Sequence, residues 1–126
     1  MTLQSLRERA VLIVEDDEAL QFTAKRQLVA LGVEADIAND GVEALAQLKN
    51  KRCCLILMDL QMLRMDGLEA TRKIREREEN DNLPYTPIVA MTAYPERERC
   101  FDAGMNDYLL KPVLVDALSR LIERWT

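Results

Sequence analysis

Short apolar runs, each stopping on a charged or hydroxyl-bearing residue, constrain this chain more than any other feature. Val11 to Val14 runs into Glu15-Asp16-Asp17, Leu55 to Met58 stops at Asp59, Ile88 to Met91 at Thr92, and Tyr108-Leu109-Leu110 at Lys111. A run with no polar member suits a parallel strand covered on both faces. Between the runs lie segments of helical spacing. One spans roughly Glu18 to Leu31, with Leu20, Ala24, Leu28 and Leu31 on one stripe and Gly32 as its stop. Val33, Ala35 and Ile37 alternate with Glu34 and Asp36, the pattern of a half-exposed strand. The turn Asn39-Asp40-Gly41 leads to a short helix marked by Val42, Leu45 and Leu48.

Further helices are expected from about Leu68 to Glu78, Glu96 to Ala103, and Val113 to Trp125. The charged stretch from Arg75 to Pro87 is expected to end the third helix and form a long exposed connection. Five strands alternating with five helices imply right-handed crossovers and a parallel sheet with helices on both faces. The fold class is therefore α/β. At 126 residues, 48% hydrophobic and 31% charged, the chain amounts to a single domain, with a core from about 10 to 125 and no linker or repeat.

Charge and composition remove several function classes. A net charge of −5 argues against a nucleic-acid surface and favours attraction of cations or basic partner patches. No apolar run approaches the ~20 residues of a membrane-spanning helix, and Met1 to Ala10 lacks the apolar block of a signal peptide. Direct membrane contact is not expected, and any anchor would lie outside this chain. The absence of histidine excludes histidine-based catalysis and histidine-ligated metal within it. Cys53, Cys54 and Cys100, an odd count without a CxxC pair, fit a reducing compartment and a packing role. Met58, Met62, Met65, Met91 and Met105 likewise read as packing residues.

In such sheets ligands sit beyond the carboxyl ends of the strands, where these interrupting residues fall. If the first and third strands are neighbours, Asp16 and Asp59 lie close together. Like charges so placed need a proton, a cation or a lysine between them. Hard oxygen ligands with room for water and phosphate oxygens suit Mg²⁺. Lys111 would compensate charge and then bind phosphate, Thr92 would offer a hydroxyl, and a carboxylate could attack phosphorus to give an acyl phosphate. Each residue also has a plainer role. Asp59 could be a helix cap or turn former, Thr92 a β-former, Lys111 a surface lysine and Glu15 a solvated carboxylate. Asp17 and Glu18 suit the N-terminus of the following helix better than metal binding.

With those residues in view, the chain resembles the receiver domain of two-component response regulators from Val11 to about Trp125. VLIVEDDE at 11–18, LILMDLQM at 55–62, MDG at 65–67, PIVAMTA at 87–93 and AGMNDYLLKP at 103–112 carry the resemblance. Its wording is most like receivers of hybrid sensor histidine kinases. The resemblance implies a flavodoxin-like, doubly wound (βα)5 sandwich with strand order 2-1-3-4-5. It implies Asp59 as phosphoacceptor, Asp16 as direct Mg²⁺ ligand, Glu15 as its water-mediated companion, and a backbone carbonyl from Gln61. Thr92 and Lys111 would hold phosphoryl oxygens, and Tyr108 would swing with Thr92, although a half-buried core tyrosine is an equal reading.

The implied partner is a histidine kinase or histidine phosphotransfer domain. The implied location is cytoplasmic, alone or as part of a membrane-bound kinase, as a monomer or weak dimer. Such a domain promotes its own phosphorylation and dephosphorylation without being a kinase. Three positions depart from the family's habit: Leu63 where proline is usual, Val113 where an aromatic is commoner, and a bulky Tyr94. A phosphohydrolase using Asp59 is the alternative within enzyme chemistry, disfavoured by Gln61 where a second acid would stand. A receiver-like scaffold working without phosphorylation is disfavoured by the complete set Asp16, Asp59, Thr92 and Lys111.

Overall fold

The computed structural model describes residues 10–94 and 96–126; the expectations for residues 1–9 fall outside them. Along the chain run β1 (Val11–Val14), α1 (Glu18–Ala30), β2 (Ala35–Ala38), α2 (Gly41–Leu48) and β3 (Leu55–Asp59). There follow α3 (Gly67–Asn80), β4 (Ile88–Thr92), α4 (Arg97–Ala103), β5 (Asp107–Leu110) and α5 (Val115–Trp125). The sheet is parallel throughout, in the order β2-β1-β3-β4-β5. That is the flavodoxin-like order the resemblance implies.

Every residue of β1, β3 and β4 is buried, which explains why their sequences are apolar without alternation. Successive side chains feed two cores. Leu12, Val14, Ile56 and Met58 pack on one face with Ala44, Leu68, Ala70, Ile74 and Ala103 of α2, α3 and α4. Val11, Ile13, Leu55 and Leu57 pack on the other with Leu28, Leu118 and Leu121 of α1 and α5. Cys100 and four of the methionines singled out are buried, while Met65, Cys53 and Cys54 are partly so. Burial pushes the Cys53 thiol up to about 12, so it stays protonated and behaves as a hydrophobe.

Aspartates start three helices. Asp17, Asp40 and Asp66 each accept a hydrogen bond from the backbone N–H three residues on, at 3.0, 2.8 and 2.8 Å. Gly32, at φ +77°, closes α1 in a conformation that costs a side-chain-bearing residue free energy.

Three expectations need correction. Leu20 is exposed, and Gln21 takes the inward position at the start of α1. The third helix does not yield near Glu78; it continues to Asn80, so the exposed connection is only residues 81–87. Its last turns survive because Arg75 and Arg77 bond neighbouring backbone, to the Gly104 and Leu45 carbonyls. The last helix begins at Val115, two residues later than expected, after Lys111-Pro112. No helix among the described residues is long and apolar enough to cross a membrane.

Candidate functional site

Parallel register carries the ends of β1, β3, β4 and β5 to one edge of the sheet. Val14 pairs with Met58, and Asp59 with Met91, so Glu15 follows β1 beside Asp59. Glu15, Asp16 and Asp59 each offer a carboxylate oxygen, all within 4.8 Å of one another. Glu15 and Asp59 are buried at 2% and 3% exposure, whereas Asp16 is exposed. Lys111 reaches into this cluster from the end of β5, its Nζ donating to Asp59 Oδ1 at 2.9 Å and to Glu15 Oε2 at 3.5 Å.

One ammonium cannot neutralise three carboxylates. Burial, and then the charge of Asp59, push Glu15 up to about 7 against the opposing pull of Lys111. Burial alone would lower Lys111, but the hydrogen bond and charge of Asp59, joined by Glu15, raise it. The ammonium is therefore retained at neutral pH. A cluster of hard oxygen donors with surplus negative charge fits a small divalent cation that keeps water in its shell.

Thr92 lies buried at the end of β4 with its hydroxyl turned into the following loop. It donates to the Tyr94 carbonyl at 2.9 Å and accepts from the Tyr94 N–H at 3.1 Å. Tyr108 is half-buried on β5, with the Arg97 guanidinium 5.6 Å from its ring centre. Gln61 is exposed just beyond β3, its N–H 3.4 Å from Asp59 Oδ1. Leu63 and Tyr94 are both exposed, Leu63 almost completely at 96%.

A glycine makes the turn after β3 possible. A Cβ on Gly67 would stand 2.3 Å from the Asp59 backbone oxygen, so the start of α3 approaches the site only without a side chain. Gln21, not singled out among the candidate residues, lies directly behind the cluster. Its Nε2 donates to the Glu15 carbonyl at 2.5 Å and to Asn39 Oδ1 at 2.8 Å. Its place beside the expected apolar position Leu20 reads as an exposed polar residue, so no signal in the pattern marks it.

Residues 11–123 match the family model of the response regulator receiver domain. The chain belongs to that family. This receiver domain is 38% identical to "Hybrid signal transduction protein dokA" of Dictyostelium discoideum, over 97% of this chain and 7% of that protein. It is equally, 38%, identical to "Response regulator MprA" of Mycobacterium sp. (strain KMS), over 86% of this chain and 46% of that one. The receiver thus spans less than half the length of these curated relatives.

Among solved structures, the receiver domain of sensor histidine kinase PA1611 from Pseudomonas aeruginosa PAO1 superposes with TM-score 0.82 at 37% identity. The match covers 93% of this chain and 96% of that one, which carries a magnesium ion in its active site cleft. The Saccharomyces cerevisiae Ssk1 receiver domain, solved with the histidine phosphotransfer protein Ypd1, gives TM-score 0.87 at 34% identity, covering 94% and 89%. The chain is a receiver domain of two-component and phosphorelay signalling.

Proposed function

We propose that Asp59 accepts a phosphoryl group from a phosphohistidine on a histidine kinase or histidine phosphotransfer domain. The observation that carries this is the Lys111 ammonium 2.9 Å from a buried Asp59 within a three-carboxylate cluster. Glu15, Asp16, Asp59 and the Gln61 carbonyl would hold Mg²⁺, which supplies charge neutralisation at the transferring phosphoryl oxygens. An Asp59 carboxylate oxygen forms the new bond to phosphorus as the phosphorus–nitrogen bond to the donor imidazole breaks. The freed imidazole keeps the electron pair and is protonated from solvent.

Lys111 orients Asp59 before transfer and binds a phosphoryl oxygen after it. The Thr92 hydroxyl, now spent on Tyr94 backbone, would turn to a phosphoryl oxygen and release the Tyr94 carbonyl. Tyr108, on the neighbouring strand, would change its packing with Thr92 and convey the switch. The domain would act in the cytoplasm as a monomer or weak dimer, alone or within a hybrid kinase. Beryllofluoride, a phosphoryl mimic, should move the amide resonances around Thr92 and Tyr108 only with Mg²⁺ present. Spectra unchanged by beryllofluoride and Mg²⁺ together would overturn the switch.

A further inference from the structure

Two loops flank Asp59 at the end of β3: 15–17 after β1, which carries Glu15 and Asp16, and 60–66 after β3, which carries Gln61. Both are fastened to one third element, the Asn39-Asp40 turn after β2. Glu15 N–H donates to the Ala38 carbonyl at 3.1 Å, and buried Gln21 bridges the Glu15 carbonyl to Asn39 Oδ1. Asn39 is steadied in turn by Glu43, both of whose carboxylate oxygens accept from its Nδ2 at 3.0 Å. On the other side, Arg64 Nε donates to Asp40 Oδ2, while Asp40 Oδ1 caps α2. That guanidinium holds the Asp40 carboxyl below its ordinary range, chiefly through the hydrogen bond. Packing adds a further tie: a Cβ on Gly41 would meet Met65 Sδ at 2.9 Å, so the turn and the second loop touch without a spacer.

We infer that the Asn39-Asp40 turn is a bracket that sets the separation of the loop bearing Glu15 and Asp16 from the loop bearing Gln61, with Gln21 and Arg64 as positioning residues for the metal site. Neither side chain would touch the cation or the phosphoryl group. Gln21 fixes the peptide from which Glu15 and Asp16 project. Arg64 fixes the second loop, whose neighbouring Leu63 is almost fully exposed and adds no packing, by a side-chain tie to Asp40. The inference rests on the metal-site reading above.

Charge and positioning predict opposite signs for one variant. Removing the Arg64 cation near an acidic cluster should tighten Mg²⁺ binding if only its field matters. If Arg64 positions the loop, Arg64→Ala should weaken Mg²⁺ binding about 3-fold and Arg64→Lys should restore part of it. Gln21→Leu, neutral and close in size, should weaken it about 10-fold, the low end for partners one step removed from a metal. The measurement is the Mg²⁺ dissociation constant of the whole protein by calorimetry, paired with thermal unfolding in EDTA to separate loss of fold from loss of position. Because Arg64 is 62% exposed, its removal leaves the fold in place even if Gln21→Leu does not. Unchanged or tighter Mg²⁺ binding by Arg64→Ala overturns the bracket. A wild-type protein that binds no Mg²⁺ overturns the metal site and the bracket together.

Discussion

At the carboxyl end of the sheet three carboxylates crowd around one ammonium; at the amino end one guanidinium has a partner for every face. Arg75 donates to the Gly104 carbonyl at 2.9 Å, to Glu78 at 2.6 Å and to Asn106 Oδ1 at 2.9 Å. It also lies 3.7 Å over the centre of the Tyr85 ring. Asn106 accepts the Ile88 N–H at 2.9 Å and donates to Tyr85 Oη at 2.9 Å, while Glu78 accepts the Thr86 N–H at 2.9 Å. One end is electrostatically complete and ties α3 to the flanks of β4 and β5. The other keeps unbalanced negative charge, and there burial and then the charge of Asp59 raise Glu15, as suits the proposed cation site. Stability and function are thus separated along the strands.

The sharpest way to break this contrast is at Gly67, where the two requirements meet. Gly67→Ala drives a Cβ into the Asp59 backbone and should cost about 3 kcal/mol or more in stability, read by urea unfolding, together with Mg²⁺ binding. Arg75→Ala comes next. It leaves the largely buried Glu78 without its cation and should cost about 2–3 kcal/mol, with the Mg²⁺ dissociation constant unchanged within 2-fold. A large Mg²⁺ effect from Arg75→Ala would show that the two ends are not separate.

Glu15 gives an effect that depends on pH. Its folded value near 7 lies above the ordinary 4.5, so the folded state binds more protons between them. Stability of the metal-free protein is therefore fullest below about pH 4.5 for this group and falls as pH rises through about 7. The fall should be at most about 3 kcal/mol, and both Glu15→Gln and saturating Mg²⁺ should flatten it. Smallest of all, Arg99→Ala breaks an exposed pair with Glu96 and should change stability by less than about 0.5 kcal/mol.

Much of the acidic end was legible in the sequence because its chemistry interrupts apolar strands. β1, β3 and β4 leave no choice of face, so their ends, and hence Glu15, Asp59 and Thr92, could be located to within a residue. Lys111 followed from the same rule at β5. The amino end was not legible in this way. Arg75, Glu78 and Asn106 sit in polar segments where a network and a solvated surface look alike, and their partners are up to 31 residues apart. The persistence of α3 to Asn80 was hinted at by the good helix propensity of its Arg and Glu residues, but its anchors lie in other elements. Gln21 was hidden because a buried polar residue is betrayed only by the bonds it makes. Arg64 and Asp40 stand 24 positions apart, and nothing in either neighbourhood announces the other.

The reading of Asp59 as the phosphoacceptor is most directly tested by intact-protein mass spectrometry after incubation with acetyl phosphate and Mg²⁺. Wild-type protein should gain the mass of a single phosphoryl group, labile at alkaline pH, and Asp59→Asn should gain none. Equal labelling of the Asp59→Asn protein, or none of the wild type in Mg²⁺, would contradict it.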